Sequence, residues 1–482
     1  MPARTGAEFL DGLRGEREVW VGRERVDDVV GHPAFAGAAK SLAAVFDLQH
    51  EHAEQCLMPD PETGEPVNVS HIRPRSHADL RRRHACLQKI AEFSVGLMGR
   101  TPDYMNVTYA GFAARTDEWG AFGNEEGAEY LDAYQKFLAR NDIALTHTIV
   151  HPTVDKMQGN GPVPGDDVCV RKVGETEHGI IVRGARVLAT LAPFADEIAV
   201  YPGHPIAEGT DDYALSFCIP MSTPGLKFFC RDSYSTPDDR FDHPFSGRFD
   251  EQDAFVVFDD VEVPRERVFI DCNLQVYNSV MRTGWYPNIT QQTMIRAQAK
   301  LEFAWGLAQR MAEAINDQGA ATYNMLGEIR MYADLTAAAV HAAEEQSYDH
   351  GNGAWFCAPA PMYALKAALP GWFPRVNEII RMIGAHHLLT TPSRDLFRDP
   401  ELAPLLKHHL RGSNGVDAED RARLFRLAWD FVGTGLAGRN DLYERFYLGS
   451  QARNFATVQR VSQVARERAD RLVDRFLLEE GG

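Results

Sequence analysis

Between about residues 151 and 275 the apolar residues of this chain stop recurring every three or four positions and come instead in short β-branched and aromatic runs. That change of period constrains the fold more than any other feature, because a 3.6-residue repeat and a 2-residue repeat present different faces for burial. Val168–Val173, Gly179–Leu188, Tyr213–Met221, Leu226–Cys230 and Ala254–Val263 read as strands separated by Gly, Pro and Asp clusters. Before them, Ala78–Leu97 and Glu125–Leu138 carry a helical repeat, with Leu80, Leu87, Ile90 and Phe93 on one side of the first. After them, Arg296–Asp317 and Gly327–Tyr348 are long, Ala-rich and amphipathic. Asp417 is placed to cap a helix running to Phe431, and Ala452–Leu478 reads as a last, highly charged helix. The order predicts an α+β chain of three domains: 1–150 helical, 151–275 a mostly antiparallel β barrel or sandwich, and 276–482 helical. Gly99 to Gly123, rich in aromatics and without a clean period, reads as a loop able to line a substrate.

Fifty Lys plus Arg against 68 Asp plus Glu leave a formal net charge of −18. A surface so acidic repels polyphosphate and anionic lipid, so neither nucleic acid nor a membrane is expected as a partner. No apolar run nears the roughly 20 residues that cross a bilayer. Met1–Trp20 lacks the apolar core of a signal peptide. Seven cysteines with no CxxC spacing point to a reducing cytoplasm rather than a disulfide framework or a clustered metal site. GxxxxGK[ST], GxSxG and HExxH are absent too. His50-Glu51-His52 sets its imidazoles at i and i+2, on diverging sides of a helix, so no metal is expected there.

Two segments carry candidate chemistry. Pro102 disfavours helix at Thr101, so the preceding helix is expected to end near Arg100. Arg100 and Tyr104 then bracket a turn where a guanidinium and a phenol could converge on one small oxygen-bearing ligand. The same spacing fits a plain helix stop with a solvated arginine. His147 follows the apolar Ile143-Ala144-Leu145 and reads either as a partly buried base working near pH 7 or as a core histidine bonded to a carbonyl.

Taken together, LQHEHAEQCL, LMGRTPDYMN, LTHTIVHP, ATLAPFADE and RLFRLAWDFVGTGLAGRNDLYERFYLGS resemble the 4-hydroxyphenylacetate 3-monooxygenase family over roughly residues 5 to 465. That family is the large oxygenase component of two-component flavin-dependent phenol hydroxylases. The resemblance implies an acyl-CoA-dehydrogenase-like fold, which agrees with the helix, sheet, helix order. It also implies FAD, arriving as FADH2 from a separate NAD(P)H:flavin reductase, and O2 as co-substrate. The expected reaction forms a C4a-hydroperoxyflavin whose distal oxygen is transferred ortho to a phenolic hydroxyl. By the same analogy the chain is expected to be a homotetramer, with helices after about residue 276 in contact.

Carried over by matching motif, Arg100, Tyr104 and His147 are the expected catalytic trio, Arg100 stabilising phenolate and His147 accepting or sharing its proton. The flavin is expected against His147, Thr148 and Ile149, against Thr153, Val154, Asp155 and Lys156, at Thr190, and at Gly449, Ser450, Gln451 and Ala452. GSQA departs from the GDPV-like string more usual at that last place. Pro202 and Gly203 are expected to line the substrate, in a loop, Pro202-Gly203-His204-Pro205, that holds no Arg or Lys. With an Ala-, Arg- and Gly-rich composition, the chain is similar to actinomycete members of natural-product pathways. Some of these hydroxylate β-tyrosine or chloro-β-tyrosine held on a peptidyl carrier protein. The alternatives are a 4-hydroxyphenylacetate or chlorophenol monooxygenase, the family's flavin-dependent dehydratase branch, and a catalytically silent carrier-protein-binding scaffold. The dehydratase branch places a cysteine-ligated cluster near a segment that here has no cysteine closer than Cys86 and Cys169.

Overall fold

Two sheets occupy the middle of the chain, flanked in sequence by helices, in a computed structural model that describes residues 3–158, 161–237, 239–282 and 285–477. The larger has six strands in the spatial order Glu24–Arg25, Glu18–Val21, Leu226–Cys230, Asp253–Pro264, Gly179–Thr190 and Arg171–Glu175. The smaller runs Val268–Asp271, Leu215–Pro220, Glu197–Val200 and Leu145–Thr148. Most neighbours are antiparallel, as expected, but two pairs are parallel, Glu18–Val21 on Leu226–Cys230 and Leu145–Thr148 on Glu197–Val200. Both pairs bring strands from before residue 150 into the sheets, so the N-terminal 150 residues are not purely helical. A four-residue strand is too short for its alternation to stand out in the sequence.

One strand shows how the core is kept facing inward. In Asp253–Pro264 the buried positions are Ala254, Val256 and Phe258, then Val261 and Val263. The parity flips because the register against Gly179–Thr190 shifts between Phe258 and Val261, where Asp260 takes a φ of 53°. A bulge adds one residue there, and without it the second half of the strand would turn its valines to solvent.

The segment expected to be a substrate loop is instead a helix, Pro102–Ala114, with every residue buried. It has no amphipathic period because it has no outward face, and an all-round buried helix reads as aperiodic. Pro102 is its first residue, the position where a missing N–H leaves no bond unmade. The preceding helix, His77–Phe93, stops earlier than the proline alone suggests. Helix Trp285–Ala314 packs against both of these and against Ala320–Glu345 and Pro359–Gly384. The Asp417 carboxylate caps the helix Ala418–Val432 as expected, accepting from the Asp420 N–H at 2.8 Å. The expected last helix is two, Gln451–Val461 and Gln463–Leu477; Leu478 lies outside the described residues. The second has no buried residue and exposes Val464, Leu472, Val473, Phe476 and Leu477. Among the described residues no helix is long and apolar enough to cross a membrane.

Candidate functional site

The buried helix and the short strand Leu145–Thr148 bring the expected trio together. Arg100 lies just before the first turn of the helix and Tyr104 within it, so the Arg100 guanidinium sits 4.0 Å above the Tyr104 ring centre. Tyr104 also stacks on His147, with ring centres 5.3 Å apart and planes 19° from parallel. His147 in turn leans on Tyr201, ring centres 5.5 Å apart. Guanidinium, phenol and imidazole therefore form one continuous stack, and the solvated-arginine reading of Arg100 does not hold.

Arg100 is held by groups that the sequence does not connect to it. Its guanidinium donates to the Tyr443 hydroxyl, and its backbone N–H donates to Glu251 Oε1 at 2.7 Å. Gly99 permits the first contact, since a Cβ there would strike the Tyr443 hydroxyl. Tyr443 stacks on Tyr447, 4.4 Å between ring centres, and Tyr447 accepts from Arg296 at 2.9 Å. Arg296 is itself paired with Glu444, at 2.8 and 2.9 Å, and Lys300 adds a third bond to that carboxylate at 2.9 Å. Behind Glu251, Arg439 bridges Glu251 and Asp253, and Asp253 Oδ1 accepts from the Thr190 hydroxyl at 2.7 Å. One polar network thus joins Thr190 to the backbone of Arg100.

The electrostatics follow from burial. Burial alone would lower the Arg100 pKa, but Tyr443, Tyr104 and Glu251 around it raise it, so the cation is permanent. His147 is driven well below the ordinary imidazole value, first by burial and then by the Arg100 charge. His147 is therefore neutral, the form in which an imidazole can accept a proton. Its Nδ1 is buried without a partner, free to accept or donate one hydrogen bond according to tautomer. Tyr443 is raised by burial, so it stays a neutral phenol beside Arg100.

The segments expected to meet the flavin are partly brought together. The Thr146 hydroxyl donates to the Thr190 carbonyl, Thr148 donates to the Val187 carbonyl at 3.3 Å, and Val150 bridges Val187, so residues 146–150 run beside the end of strand Gly179–Thr190. Gly203 is pressed against Ile149, where a Cβ would meet the Ile149 carbonyl at 2.9 Å. Buried Pro202 precedes it. Gly449 takes a φ of 86°, and Ser450, Gln451 and Ala452 open the helix that follows. Gln451 docks on helix Pro359–Gly384 through the Ala367 carbonyl at 3.2 Å. Thr153 to Lys156 stand apart as an exposed stretch, Val154 being 76% accessible. Polar atoms without partners line the same region: His147 Nδ1, His151 Nδ1, Tyr201 and Tyr286 hydroxyls, and Nε and Nη2 of the fully buried Arg186. A buried guanidinium and phenols left unsatisfied are costly unless a ligand completes them. A polar, planar group such as a flavin beside the trio fits that donor set.

Tyr201, Glu251, Asp253, Tyr286, Arg296 and Lys300 went unrecognised in the sequence, in ordinary-looking stretches far along the chain from Arg100, and Arg439 and Glu444, though inside the quoted RLFRLAWDFVGTGLAGRNDLYERFYLGS, were given no role. Among the described residues no group of three or more His, Cys, Asp or Glu could hold a metal ion.

Known proteins match this chain from end to end. The family model for the 4-hydroxyphenylacetate 3-hydroxylase N terminal matches residues 5–270, and that for its C terminal matches residues 276–477. The 4-hydroxyphenylacetate 3-monooxygenase oxygenase component of Thermus thermophilus is 37% identical over 95% of this chain and 94% of its own length. A Streptomyces globisporus monooxygenase of (3S)-3-amino-3-(3-chloro-4-hydroxyphenyl)propanoyl-[peptidyl-carrier protein SgcC2] is 34% identical over 98% of this chain and 89% of its own. A crystal structure of a 4-hydroxyphenylacetate 3-monooxygenase oxygenase component with FAD and 4-hydroxyphenylacetate superposes with a TM-score of 0.93, 35% identity, and 98% and 99% coverage. An archaeal 4-hydroxybutyryl-CoA dehydratase shares the fold at a TM-score of 0.89 and 20% identity.

Proposed function

The chain belongs to the 4-hydroxyphenylacetate 3-hydroxylase family, and we propose that Arg100, Tyr104 and His147 bind and activate a phenol held on a peptidyl carrier protein. The protein is a flavin-dependent aromatic hydroxylase, the oxygenase component of a two-component system that uses reduced FAD and O2 and needs a separate reductase. Bound reduced FAD supplies, with O2, the electrophilic oxygen; the chain's own residues prepare the ring that receives it. In this reading His147 to Ile149, Thr153 to Lys156, Thr190 and Gly449 to Ala452 hold the flavin, and Pro202 and Gly203 line the substrate.

The observation that carries the reading is the stack itself. Arg100 presents a permanent cation at a partly buried spot where a phenolate is strongly favoured over a phenol. Neutral His147, unpaired at Nδ1, hydrogen-bonds the phenolic oxygen without holding the proton against Arg100. A phenolate is a far better nucleophile at its ortho carbon than the neutral phenol. The rings of Tyr104 and Tyr201 pack on His147, the kind of apolar cover that would keep water from the reacting ring.

Support for the carrier-bound substrate comes from the Streptomyces relative. A homotetramer in the cytoplasm completes the proposal, with the apolar residues of Gln463–Leu477 as subunit contacts and seven free cysteines suited to a reducing compartment. Product mass from FADH2, O2 and a panel of free and carrier-tethered phenols tests the substrate. A gain of one oxygen on the tethered phenol, with slower reaction of the matching free acid, is expected. Efficient turnover of free phenols alone would remove the carrier from the proposal.

A further inference from the structure

Three basic side chains meet beside the phenol site with no acid among them. Arg453, in the first turn of helix Gln451–Val461, approaches His204, with Nη2 to Nδ1 at 3.2 Å and Nη1 to Nε2 at 3.5 Å. Lys366 Nζ stands 4.2 Å from the centre of the Tyr286 ring, and its carbonyl accepts from Asn454 at 3.0 Å, which ties the two helices at this point. Neither Lys366 nor Arg453 nor His204 pairs with a carboxylate among the described residues, in a chain whose net charge is −18. Burial together with the Arg453 charge lowers the Lys366 pKa to about 8, and burial, Arg453 and Lys366 lower that of His204. Arg453 also adds positive charge at a helix N-terminus, where the backbone dipole is already positive and the Ser450 side chain makes no capping bond. Neutral His204 accepts from Arg453, which leaves Arg453 and Lys366 as neighbouring like charges that an anion would bridge.

Its position says which anion. His204 lies three residues after Tyr201, which packs on His147, and follows Gly203, which is pressed on Ile149. Tyr286, beneath Lys366, is within electrostatic reach of Tyr104 and Tyr447. The cluster therefore borders the site where the phenol is placed, on the side of the Pro202–Pro205 loop. That loop has no cation of its own; the fold supplies two from residues 366 and 453.

We propose that His204, Lys366 and Arg453 form a rim that binds an oxyanion on the tail of the phenolic substrate, the phosphodiester of a phosphopantetheine arm or the carboxylate of a free acid. This rests on the reading of the phenol site above. The test measures Kd and KM for four phenols on the full chain and on Lys366→Met and Arg453→Gln. The phenols are 4-cresol, 4-hydroxyphenylacetate, a 4-hydroxyphenylpropanoyl phosphopantetheine thioester, and its N-acetylcysteamine truncation, which lacks the phosphate. Each variant is expected to cut the preference for an anionic over a neutral phenol about tenfold, with Lys366→Arg restoring it. Loss for the phosphopantetheine thioester but not for its truncation identifies the phosphate of the arm, and loss confined to 4-hydroxyphenylacetate identifies the carboxylate. Equal changes for all four phenols would overturn the rim, as would a matching loss of reduced-FAD affinity, which would assign the cations to the cofactor. A wild-type chain inert towards every phenol defeats the phenol-site reading instead.

Discussion

Replacing Arg100 with glutamine is expected to lower kcat/KM for hydroxylation by about 10²–10³-fold, the usual loss when one donor facing a developing oxyanion is removed. The guanidinium is the sole permanent cation in the stack, since His147 is held neutral by burial and by Arg100 itself. Glutamine keeps some of the packing between Tyr104 and Tyr443 but leaves the phenol to ionise unaided. The readout that separates electrostatics from damage to the fold is bound 4-nitrophenol, whose phenolate is yellow. On the wild type its titration shifts to lower pH than in solution, and in the variant it returns towards the solution value. An unshifted titration on the wild type would refute phenolate stabilisation, whatever the kinetics.

Glu444→Gln is expected to destabilise the protein by about 3–5 kcal/mol at pH 7, because it strands two buried cations. Arg296, Lys300 and Glu444 are all at most 5% exposed at their side chains, and both cations rest on that one carboxylate. Burial would raise the Glu444 pKa, but Arg296 and Lys300 hold it down to about 2. An acid depressed in the folded state contributes its stability above its ordinary value, near 4.5 here, and loses it as the pH falls towards 2. The gap in urea-unfolding free energy between wild type and variant is therefore widest at neutral pH and narrows below pH 4.5. A gap that stayed constant on acidification would show that the carboxylate's charge is not what matters. Arg296 also fixes Tyr447 and, through it, Tyr443, so the variant should lose hydroxylation under conditions where it is still folded.

Periodicity carried most of the architecture. The turn-bounded β-branched runs became strands, Leu226–Cys230 to the residue, because half-buried strands alternate visibly over five or more positions. Glu197–Val200 and Val268–Asp271 escaped because four residues, all or nearly all buried, show no alternation. Helix Pro102–Ala114 escaped for the opposite reason to most errors: it is too well buried to be amphipathic. Arg100, Tyr104 and His147 stood out as candidates because they sit next to a proline or an apolar run, but spacing left bland readings open and only the family resemblance joined them into one trio. Tyr201, Tyr286, Lys366 and Arg453 did not stand out, since their meaning arises from meeting residues as far as 249 positions away, as Arg453 meets His204.

A helix packed on every side also acts as a spacer of fixed length. Inserting or deleting one residue in Pro102–Ala114 would rotate all that follows by about 100°. No solvent-facing surface exists to absorb the slip, and the contacts of Tyr104 with Arg100 and His147 would be lost. A change of length is absorbed more easily at the exposed positions 61–65, which lie in a turn outside this packed interior.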